Sequence, residues 1–146
     1  MKIAIGSDHG GIKLKRFIIS HFKELSFDDV GTYSEESCDY PDIVPKVGYK
    51  VVKGDADFGI VICGSGIGAS IVANKIKGIR AALCMNEYMA EMSRRHNDAN
   101  ILALGERVIG TDLAVAIVKR WLESPFDGDR HQRRIDKITK LENTGG

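Results

Sequence analysis

The residues best suited to chemistry lie in one stretch, Gly59–Asn74, with the sequence GIVICGSGIGASIVAN. Its first part, Gly59–Ile62, is a short β-branched apolar run typical of a buried strand, and the residues from Ala69 onward predict a helix. Between them, Gly64–Gly68 has too many glycines for a regular element, so its backbone can approach a ligand closely. Free N–H groups in such a loop, next to the positive end of a helix dipole, predict a site for an anion or an oxyanion.

Cys63 lies between this predicted strand and the glycine loop. Thiols at helix N-termini ionise more readily than free cysteine, because the helix dipole stabilises the thiolate. Cys63 is therefore a candidate base or nucleophile, with an oxyanion hole beside it. The alternative is an inert buried thiol that ends a strand, and the adjacent glycine loop disfavours it.

Two further candidates, Asp8 and His9, occupy a polar loop after the first predicted strand. In open α/β sheets ligands collect at the carboxyl ends of the strands, which favours a binding role for both residues. The alternative for Asp8 is that it only caps the first helix. His9 is a titratable donor between Asp8 and a pair of glycines, which is typical of a functional imidazole.

The second half of the chain adds a histidine and a basic cluster. His96 opens the polar segment His96–Asn100 just before the fifth predicted strand, where an Asn- and Asp-rich turn is the simpler interpretation. Arg130 and Arg134 crowd the start of the last helix, a position unfavourable to the dipole unless an anion binds nearby. Arginines on one turn suit a phosphate, and a solvated basic face is the alternative.

The elements that must position these residues alternate along the chain. Apolar runs predict five strands, Lys2–Gly6, Ser26–Val30, Phe58–Ile62, Ile79–Cys84 and Ile101–Leu104. Six helices are predicted: one after Gly11, then Ile43–Lys53, Ala69 to about Lys77, Glu87–Arg95, one from Gly110 or Thr111, and Asp129–Glu142. Pro45 is expected in the first turn of the second helix. Tyr88, Met89 and Met92 of the fourth helix are expected in the core. This alternation predicts a doubly wound, Rossmann-like α/β fold with a five-stranded parallel sheet and helices on both faces.

Length and composition limit the remaining possibilities. The chain of 146 residues has the size of a single domain, residues 1–146. A net charge of +1 gives no general attraction to nucleic acid or membrane surfaces. Three scattered cysteines form no disulfide framework or zinc-binding spacing, and there is no signal peptide or long apolar run, so we expect a cytoplasmic location and no structural metal.

Three functions compete for the glycine loop. Gly64–Ala69 formally matches the dinucleotide fingerprint GxGxxG/A, but it follows the third strand rather than the first and leaves Cys63 without a role. Acid–base chemistry on a phosphorylated small molecule uses the base, the oxyanion loop, the imidazoles and the arginines together. A non-catalytic module that binds a phosphorylated metabolite would need the arginines but not Cys63.

Several longer motifs extend this inventory over nearly the whole chain: GSDHGG (6–11), DYP (39–41), CGSGIGASIVANK (63–75), GIRAAL (78–83), SRRHNDANILALGERV (93–108) and GDRHQRRI (128–135). Together they resemble the B-type ribose-5-phosphate isomerases, within the sugar-phosphate isomerase family that includes galactose-6-phosphate isomerase. The resemblance implies interconversion of ribose 5-phosphate and ribulose 5-phosphate through ring opening and a cis-enediolate, without metal or organic cofactor. It also implies a homodimer or dimer of dimers, with the active site at the interface and the C-terminal helix reaching the partner. The alternative substrate is a six-carbon sugar phosphate such as allose or galactose 6-phosphate.

The resemblance also assigns expected roles to residues. Cys63 would move the proton between C2 and C1, His96 would open the furanose ring, and Ser65 would offer a hydroxyl beside the anion hole. Arg130 and Arg134 would be the main phosphate ligands, helped by Arg107 and His131. The other expected substrate contacts are Asp8, His9, Tyr40, Gly64, Gly66, Ile67, Gly68 and Asn97. Some relatives replace the cysteine and use a glutamate in the loop. Here Ala69 stands in that place, so the chain resembles the cysteine subclass.

Overall fold

In the computed structural model, which describes residues 1–145, five parallel strands form one sheet in the order β2-β1-β3-β5-β4. The strands are β1 (Lys2–Ser7), β2 (Ser26–Asp29), β3 (Phe58–Cys63), β4 (Ala81–Leu83) and β5 (Ile101–Gly105). The helices are α1 (Ile12–His21), α2 (Tyr40–Val52), α3 (Ile67–Ala73), α4 (Glu87–Arg95), α5 (Thr111–Glu123) and α6 (Arg130–Thr144). The predicted doubly wound parallel α/β fold is confirmed.

Two apolar layers hold the helices on opposite faces of the sheet. One layer joins Ile5 and Ile60 of the sheet to α1 and α5, with Trp121 fully buried at its centre. The other joins Val61 and Ala103 to α2 and α3. The central strands β1, β3 and β5 are therefore covered on both sides, which explains their nearly continuous apolar sequences.

The strand order reverses direction between β1 and β3. From β1 the chain crosses outward to β2, and later strands are added on the other side of β1, starting with β3. The crossover helices diverge at this point, so a crevice opens outside the carboxyl ends of β1 and β3. Asp8 follows β1 and Cys63 ends β3, so the fold brings the ends of these two segments to the same crevice.

Two helices begin earlier than the sequence predicts. Helix α2 begins at Tyr40 rather than Ile43, so Pro41 occupies its first turn and Pro45 lies inside it. Pro45 has no N–H, so one backbone hydrogen bond of α2 is missing. The packing of α2 against β1 and α3 stabilises the helix despite that loss. Helix α3 begins at Ile67 rather than Ala69, because Gly66 takes φ +82° and caps it in the left-handed conformation.

Two other predictions need correction at the β4 edge of the sheet. Strand β4 is shorter than the predicted Ile79–Cys84, since the side chain of Asn74 pairs with the backbone of Ala81 (2.8 and 3.0 Å) where the strand begins. The core assignment in α4 is wrong: Tyr88 is 70% and Met89 38% exposed, and Met92 is half-buried. An apolar surface, formed by Met85, Tyr88, Met89 and Met92 and called here the α4 patch, therefore flanks the edge strand.

Among residues 1–145, no helix combines the length and apolar character that crossing a bilayer requires.

Candidate active site

A cleft of about 550 Å³ opens at the carboxyl ends of β1 and β3, within the usual size range of small-molecule sites. Its lining combines polar groups and exposed apolar side chains: Asp8, Tyr40, Cys63, Gly64, Ser65, Ile67, Gly68, Ile71, Arg107 and Val108. Eight of these belong to the predicted site. Gly66 lies underneath as the buried cap of α3, and His9 is the chain neighbour of Asp8.

Cys63 is the last residue of β3, and its side chain is 4% exposed. The N–H of Gly66 donates to Sγ over 3.2 Å. This contact holds the sulfur at the start of the glycine loop, beside the cleft. Gly66 takes φ +82°, a conformation that favours glycine, and this conformation leads the chain from the N–H that contacts Cys63 into the first turn of α3.

The remainder of the glycine loop is held by local hydrogen bonds and by Tyr40. The hydroxyl of Ser65 accepts from the N–H of Ile67 at 3.2 Å. Gly68 lies in the first turn of α3, and a Cβ there would come within 2.5 Å of the Tyr40 ring. The ring therefore packs directly against the backbone of α3, which fixes one wall of the cleft.

Asp8 and His9 are both oriented by the backbone. Asp8 is 7% exposed, and its Oδ1 accepts from the N–H of Gly10 at 2.9 Å in a tight turn. Gly11, not Asp8, occupies the N-cap of α1, so the capping interpretation is wrong. His9 Nδ1 lies 3.1 Å from both the N–H and the carbonyl oxygen of Cys38, so the Cys38 backbone orients the imidazole ring.

A second group of residues, most of them predicted, lies elsewhere and is called here the histidine cluster: His96, Asp127, His131, Arg130 and Arg134. His96 caps the C-terminus of α4 and His131 lies in the first turn of α6. Their rings stack with centroids 4.2 Å apart and an interplanar angle of 9°. The cluster therefore joins two segments that are far apart in sequence.

Burial and neighbouring charges perturb the titration of His131 and of Asp127. Burial, and after it the positive charges of His96 and Arg130, lower the pKa of His131 below its usual value. Hydrogen bonds from the Arg95 guanidinium, both 3.2 Å, lower the pKa of the Asp127 carboxyl. His131 is therefore a neutral imidazole at pH 7, between a carboxylate and the arginines of α6.

Hydrogen bonds from Arg80 and Arg94 hold the turn that carries His96 and Asn97. Asp98 takes φ +45°, and its carboxylate accepts from Arg94 Nη1 at 2.9 Å. Arg80 donates to the carbonyl oxygens of Asn97 (2.9 Å) and Asp98 (3.0 Å). The guanidinium of the buried Arg94 also stacks over Phe58, 4.7 Å from the ring centroid. The two arginines thus add side-chain hydrogen bonds to the backbone bonds that Asp98 and Ala99 already donate to Arg94 and Ser93.

The histidine cluster has the residue types of a metal centre but not the geometry. Ligand atoms of His96, Asp127 and His131 lie within 4.8 Å of one another. The nitrogen lone pairs lie in the imidazole planes, however, and stacked planes do not direct them toward a common point. The Asp127 carboxylate already pairs with Arg95. As arranged, the cluster fits an anion contacted by Arg130 and Arg134 better than a cation.

The cleft and the histidine cluster lie at opposite ends of the sheet. Cys63 pairs in register with Gly105, the last residue of β5, whereas His96 precedes its first residue, Ile101. At a rise of about 3.3 Å per residue, β5 alone separates the two levels by roughly 13 Å. One chain therefore does not bring His96, Asn97, Arg130, His131 and Arg134 to its own cleft.

Sequence reasoning missed three residues of these sites. Ile71 and Val108 line the cleft and are 55% and 49% exposed. Ile71 is one helical turn beyond Ile67 and Val108 follows Arg107, so both could have been found by their spacing from predicted residues. Asp127 carries no local signal, because its contacts with Arg95 and the stacked imidazoles are all long-range.

Comparison with known proteins identifies the family of the chain. A family model described as Ribose/Galactose Isomerase matches residues 3–138. The chain is 48% identical over 143 residues to ribose-5-phosphate isomerase B of Escherichia coli K12, covering 97% of this chain and 96% of that protein. The structure of Clostridium thermocellum ribose-5-phosphate isomerase B superposes with a TM-score of 0.98 at 57% identity, over the full length of both chains.

A third relative links the fold to a ligand. Ribose-5-phosphate isomerase B of Mycoplasma genitalium, solved with bound ribulose-5-phosphate, superposes with a TM-score of 0.93 at 41% identity, covering 98% of this chain and 97% of that one. The chain thus belongs to the ribose/galactose isomerase family, a group of doubly wound α/β enzymes.

Proposed function

We propose that this protein is an aldose–ketose isomerase that interconverts ribose 5-phosphate and ribulose 5-phosphate. The observation that carries the proposal is the Cys63 thiol at the switch-point cleft, with the Gly66 N–H 3.2 Å from its sulfur. Aldose–ketose isomerisation needs a base that works near neutral pH, donors for a developing oxyanion and a remote phosphate grip. The relatives named above are ribose-5-phosphate isomerases, and their sequences match this chain at 48% and 57% identity over nearly its full length.

The proposed reaction begins with ring opening. His96 gives a proton to the furanose ring oxygen, the ring C1–O bond breaks, and the proton of the C1 hydroxyl passes to solvent water, which also returns a proton to His96; the product is the open-chain aldehyde. The Cys63 thiolate then removes the proton from C2, and the electrons move onto the carbonyl oxygen at C1 to give the cis-enediolate. The thiol returns the proton to C1, and the proton of the C2 hydroxyl moves to the negatively charged oxygen on C1, which leaves a ketone at C2, a hydroxyl at C1 and the thiolate restored. Atoms and charge balance without a cofactor.

The cleft supplies the groups for the proton transfer. We assign the backbone amides of the Gly64–Gly68 segment and the hydroxyl of Ser65 to the oxyanion, because this segment borders the cleft beside Cys63. Asp8, His9 and Tyr40 are assigned to the sugar hydroxyls. Arg107 lies against Gly64, with Nη1 3.1 Å from where a Cβ would stand, and adds positive charge at the same wall.

The histidine cluster supplies the ring-opening and phosphate groups, and we propose that a second copy of the chain brings it to the cleft. Exposed apolar side chains border both half-sites: Ile67, Ile71 and Val108 at the cleft, and the α4 patch next to Asn97. Such surfaces are typical of protein interfaces. A homodimer with a twofold axis would complete two equivalent sites, each with Cys63 from one chain and His96 from the other. In this arrangement α6 of each chain reaches the partner.

Two related proposals concern the cell and the competing substrates. Three free cysteines, including Cys63, function best in a reducing compartment, so we propose a cytoplasmic location. Six-carbon sugar phosphates are the second candidate substrates, because the family model covers galactose isomerases as well. The dinucleotide interpretation is not favoured, since the glycine segment caps α3 after β3 and faces Cys63.

The proposed function is tested by incubating the purified protein with ribose 5-phosphate and a metal chelator and measuring ribulose 5-phosphate. Cys63→Ala is the test variant, and Cys84→Ala is the matched control for loss of a buried thiol. We expect wild type and Cys84→Ala to turn over and Cys63→Ala to lose about 10²- to 10⁴-fold in kcat, the usual contribution of a general base. Turnover of allose or galactose 6-phosphate but not ribose 5-phosphate would move the substrate to the six-carbon class. Saturable enhancement of NADH fluorescence would instead support the dinucleotide site.

A further inference from the structure

Glu106 connects the three loops that form the cleft, although it does not line the cleft itself. It follows the last residue of β5, and its N–H donates to the carbonyl oxygen of Cys63 at 3.0 Å. The next N–H, of Arg107, donates to the carbonyl oxygen of Gly64 at 2.9 Å. The pairing of β3 with β5 therefore continues past the strands into the segment that carries the thiol.

The side chain of Glu106 reaches a different element, the N-terminus of α1. Its Oε1 accepts from the N–H of Leu14 at 2.7 Å. Leu14 is the third residue of α1, whose N-cap is Gly11 and whose first turn has no acidic residue. The first N–H groups of a helix have no partner within it, and a carboxylate there is stabilised by the helix dipole. Glu106 thus supplies from another loop the cap that α1 lacks.

Capping α1 in this way fixes the loop between β1 and α1. At its start, the N–H of Asp8 donates to the carbonyl oxygen of Ile62 at 3.3 Å. At its end, Gly11 packs so closely on Ile62 that a Cβ would lie 2.7 Å from the Ile62 side chain. Because Glu106 also holds Leu14, both ends of the loop that carries Asp8 and His9 are fixed in position relative to the segment around Cys63.

We propose that Glu106 is a positioning residue of this enzyme, holding the Asp8–His9 loop and Arg107 at fixed positions relative to the Cys63 thiol. The proposal rests on the proposed function. Displacements of about 1 Å in groups around a reacting centre reduce rates by up to about 10²-fold, so a residue joining three such loops matters for turnover. The acceptor oxygen at the right reach is the required feature, rather than the carboxylate charge alone.

Three substitutions separate these features. Glu106→Gln keeps an acceptor oxygen at the same distance from the backbone but removes the charge. Glu106→Asp keeps the charge on a side chain that is one methylene shorter. Glu106→Ala removes both the acceptor oxygen and the charge. We expect kcat to fall about 10- to 100-fold in the Ala and Asp variants and to stay within about threefold of wild type in the Gln variant. KM should change less than kcat in all three, because the phosphate grip lies in the histidine cluster and only the contacts of the Asp8–His9 loop with the sugar hydroxyls are disturbed. Glu24→Ala, an exposed carboxylate in the turn after α1, is the control. Wild-type kcat in Glu106→Ala, or equal losses in all three variants, would overturn the proposal.

Amide hydrogen exchange tests the same contact without a substrate. Mass spectrometry of peptides covering residues 8–14 should show faster exchange at Leu14 in Glu106→Ala and Glu106→Asp than in wild type and Glu106→Gln. Unchanged protection in all variants would overturn the positioning role, whatever the kinetics. If wild-type protein fails to convert ribose 5-phosphate, the proposed function falls, while the exchange experiment still decides whether Glu106 holds the loop.

Discussion

The chemistry of each cysteine is decided by the residues on its C-terminal side. Cys63 and Cys84 both come at the end of a strand and are both buried. Burial raises the pKa of the Cys84 thiol to about 11, and a hydrogen bond with the Ser93 hydroxyl opposes that rise only weakly. Cys63 precedes the glycine loop, which turns the Gly66 N–H toward its sulfur. The Cys84 thiol is therefore inert packing, whereas the Cys63 thiol lies at the cleft beside the glycine loop.

At the residue scale, the proposed phosphate grip predicts a defect in substrate affinity. Arg134→Ala should raise KM for ribose 5-phosphate about 10- to 100-fold, which corresponds to loss of one charge-assisted hydrogen bond, and should largely preserve kcat. Arg133→Ala, the neighbouring exposed arginine, is the matched control and should behave as wild type. Steady-state kinetics and titration with a non-reactive sugar phosphate measure both. An unaltered affinity in Arg134→Ala would remove this residue from the grip.

The stacked imidazoles predict a pH dependence of stability. The pKa of His131 is lower in the folded protein than its usual 6.5, so the unfolded chain binds the proton first as the pH falls. The free energy of unfolding should therefore be constant above about pH 6.5 and decrease below it, down to the folded pKa. His131→Gln should show a shallower decrease, whereas His21→Gln, an exposed histidine on α1, should keep the wild-type slope.

Urea unfolding at several pH values gives these slopes, and NMR of the imidazole protons gives the pKa of His131 directly. Replacing His96 with Asn should raise that pKa, because it removes one of the charges that lower it. A pKa of His131 at or above 6.5 in the wild-type protein would contradict the role assigned to burial.

At the scale of elements, the sequence predicts most of the fold because each signal is local. The apolar runs of β1, β3 and β5 are buried on both faces, and no other element type suits such short sequences. The errors come where a tertiary contact overrides local preference: Pro45 lies inside α2 and Ile67 already belongs to α3. The exposure of Tyr88 likewise depends on what α4 faces, which an apolar spacing does not specify.

The conformation of Gly66 predicts how the turn between β3 and α3 responds to substitution. Gly66→Ala places a Cβ 2.6 Å from the Leu83 side chain in a left-handed conformation, whereas Gly54→Ala has nearly the same φ (+80°) with open space around it. We expect Gly54→Ala to lower the free energy of unfolding by about 1–2 kcal/mol with unchanged kcat, the usual penalty for this conformation. Gly66→Ala should lose more stability and also lower kcat, because its N–H moves away from Cys63.

Urea unfolding and steady-state kinetics of the two glycine variants provide this comparison. Equal losses of stability, with wild-type kcat in both, would show that the cap conformation of Gly66 serves only the helix and not the thiol.

At the scale of the whole molecule, the sequence predicts where the cleft residues meet but not where the histidine cluster lies relative to them. Asp8 and Cys63 follow strands that the alternating pattern places in one parallel sheet, so their meeting at its carboxyl edge follows from sequence. His96 and Arg134 lie at the other end, and local sequence does not say which surface they would face. The proposed second chain therefore rests on the separation of the two half-sites and on the exposed apolar side chains beside them.

Mixing inactive variants tests that two-chain site. Cys63→Ala and His96→Asn should each be inactive alone, but a dimer with one chain of each contains one intact site. Random reassociation of equal amounts should therefore restore about a quarter of wild-type activity, since half the dimers are mixed and each mixed dimer has one working site. Cys63→Ala mixed with Asp8→Asn is the control, because both changes affect the cleft half and no intact site can form.

Activity of the mixture is measured after joint unfolding and refolding, with the oligomeric state determined by light scattering. Absence of any recovery in the Cys63→Ala and His96→Asn mixture, with mixed dimers demonstrably present, would place both halves of the site in one chain.

The proposed role of Cys63 is to move a proton between adjacent carbons of a sugar phosphate, and proton exchange with solvent tests it most directly. Ribose 5-phosphate is incubated with the protein in ²H₂O and followed by NMR. Wild type should incorporate deuterium at C2 of ribose 5-phosphate and C1 of ribulose 5-phosphate, and Cys63→Ala should do so about 10²- to 10⁴-fold more slowly. Exchange by Cys63→Ala at the wild-type rate, or a wild-type protein that neither exchanges nor converts the sugar, would contradict this role.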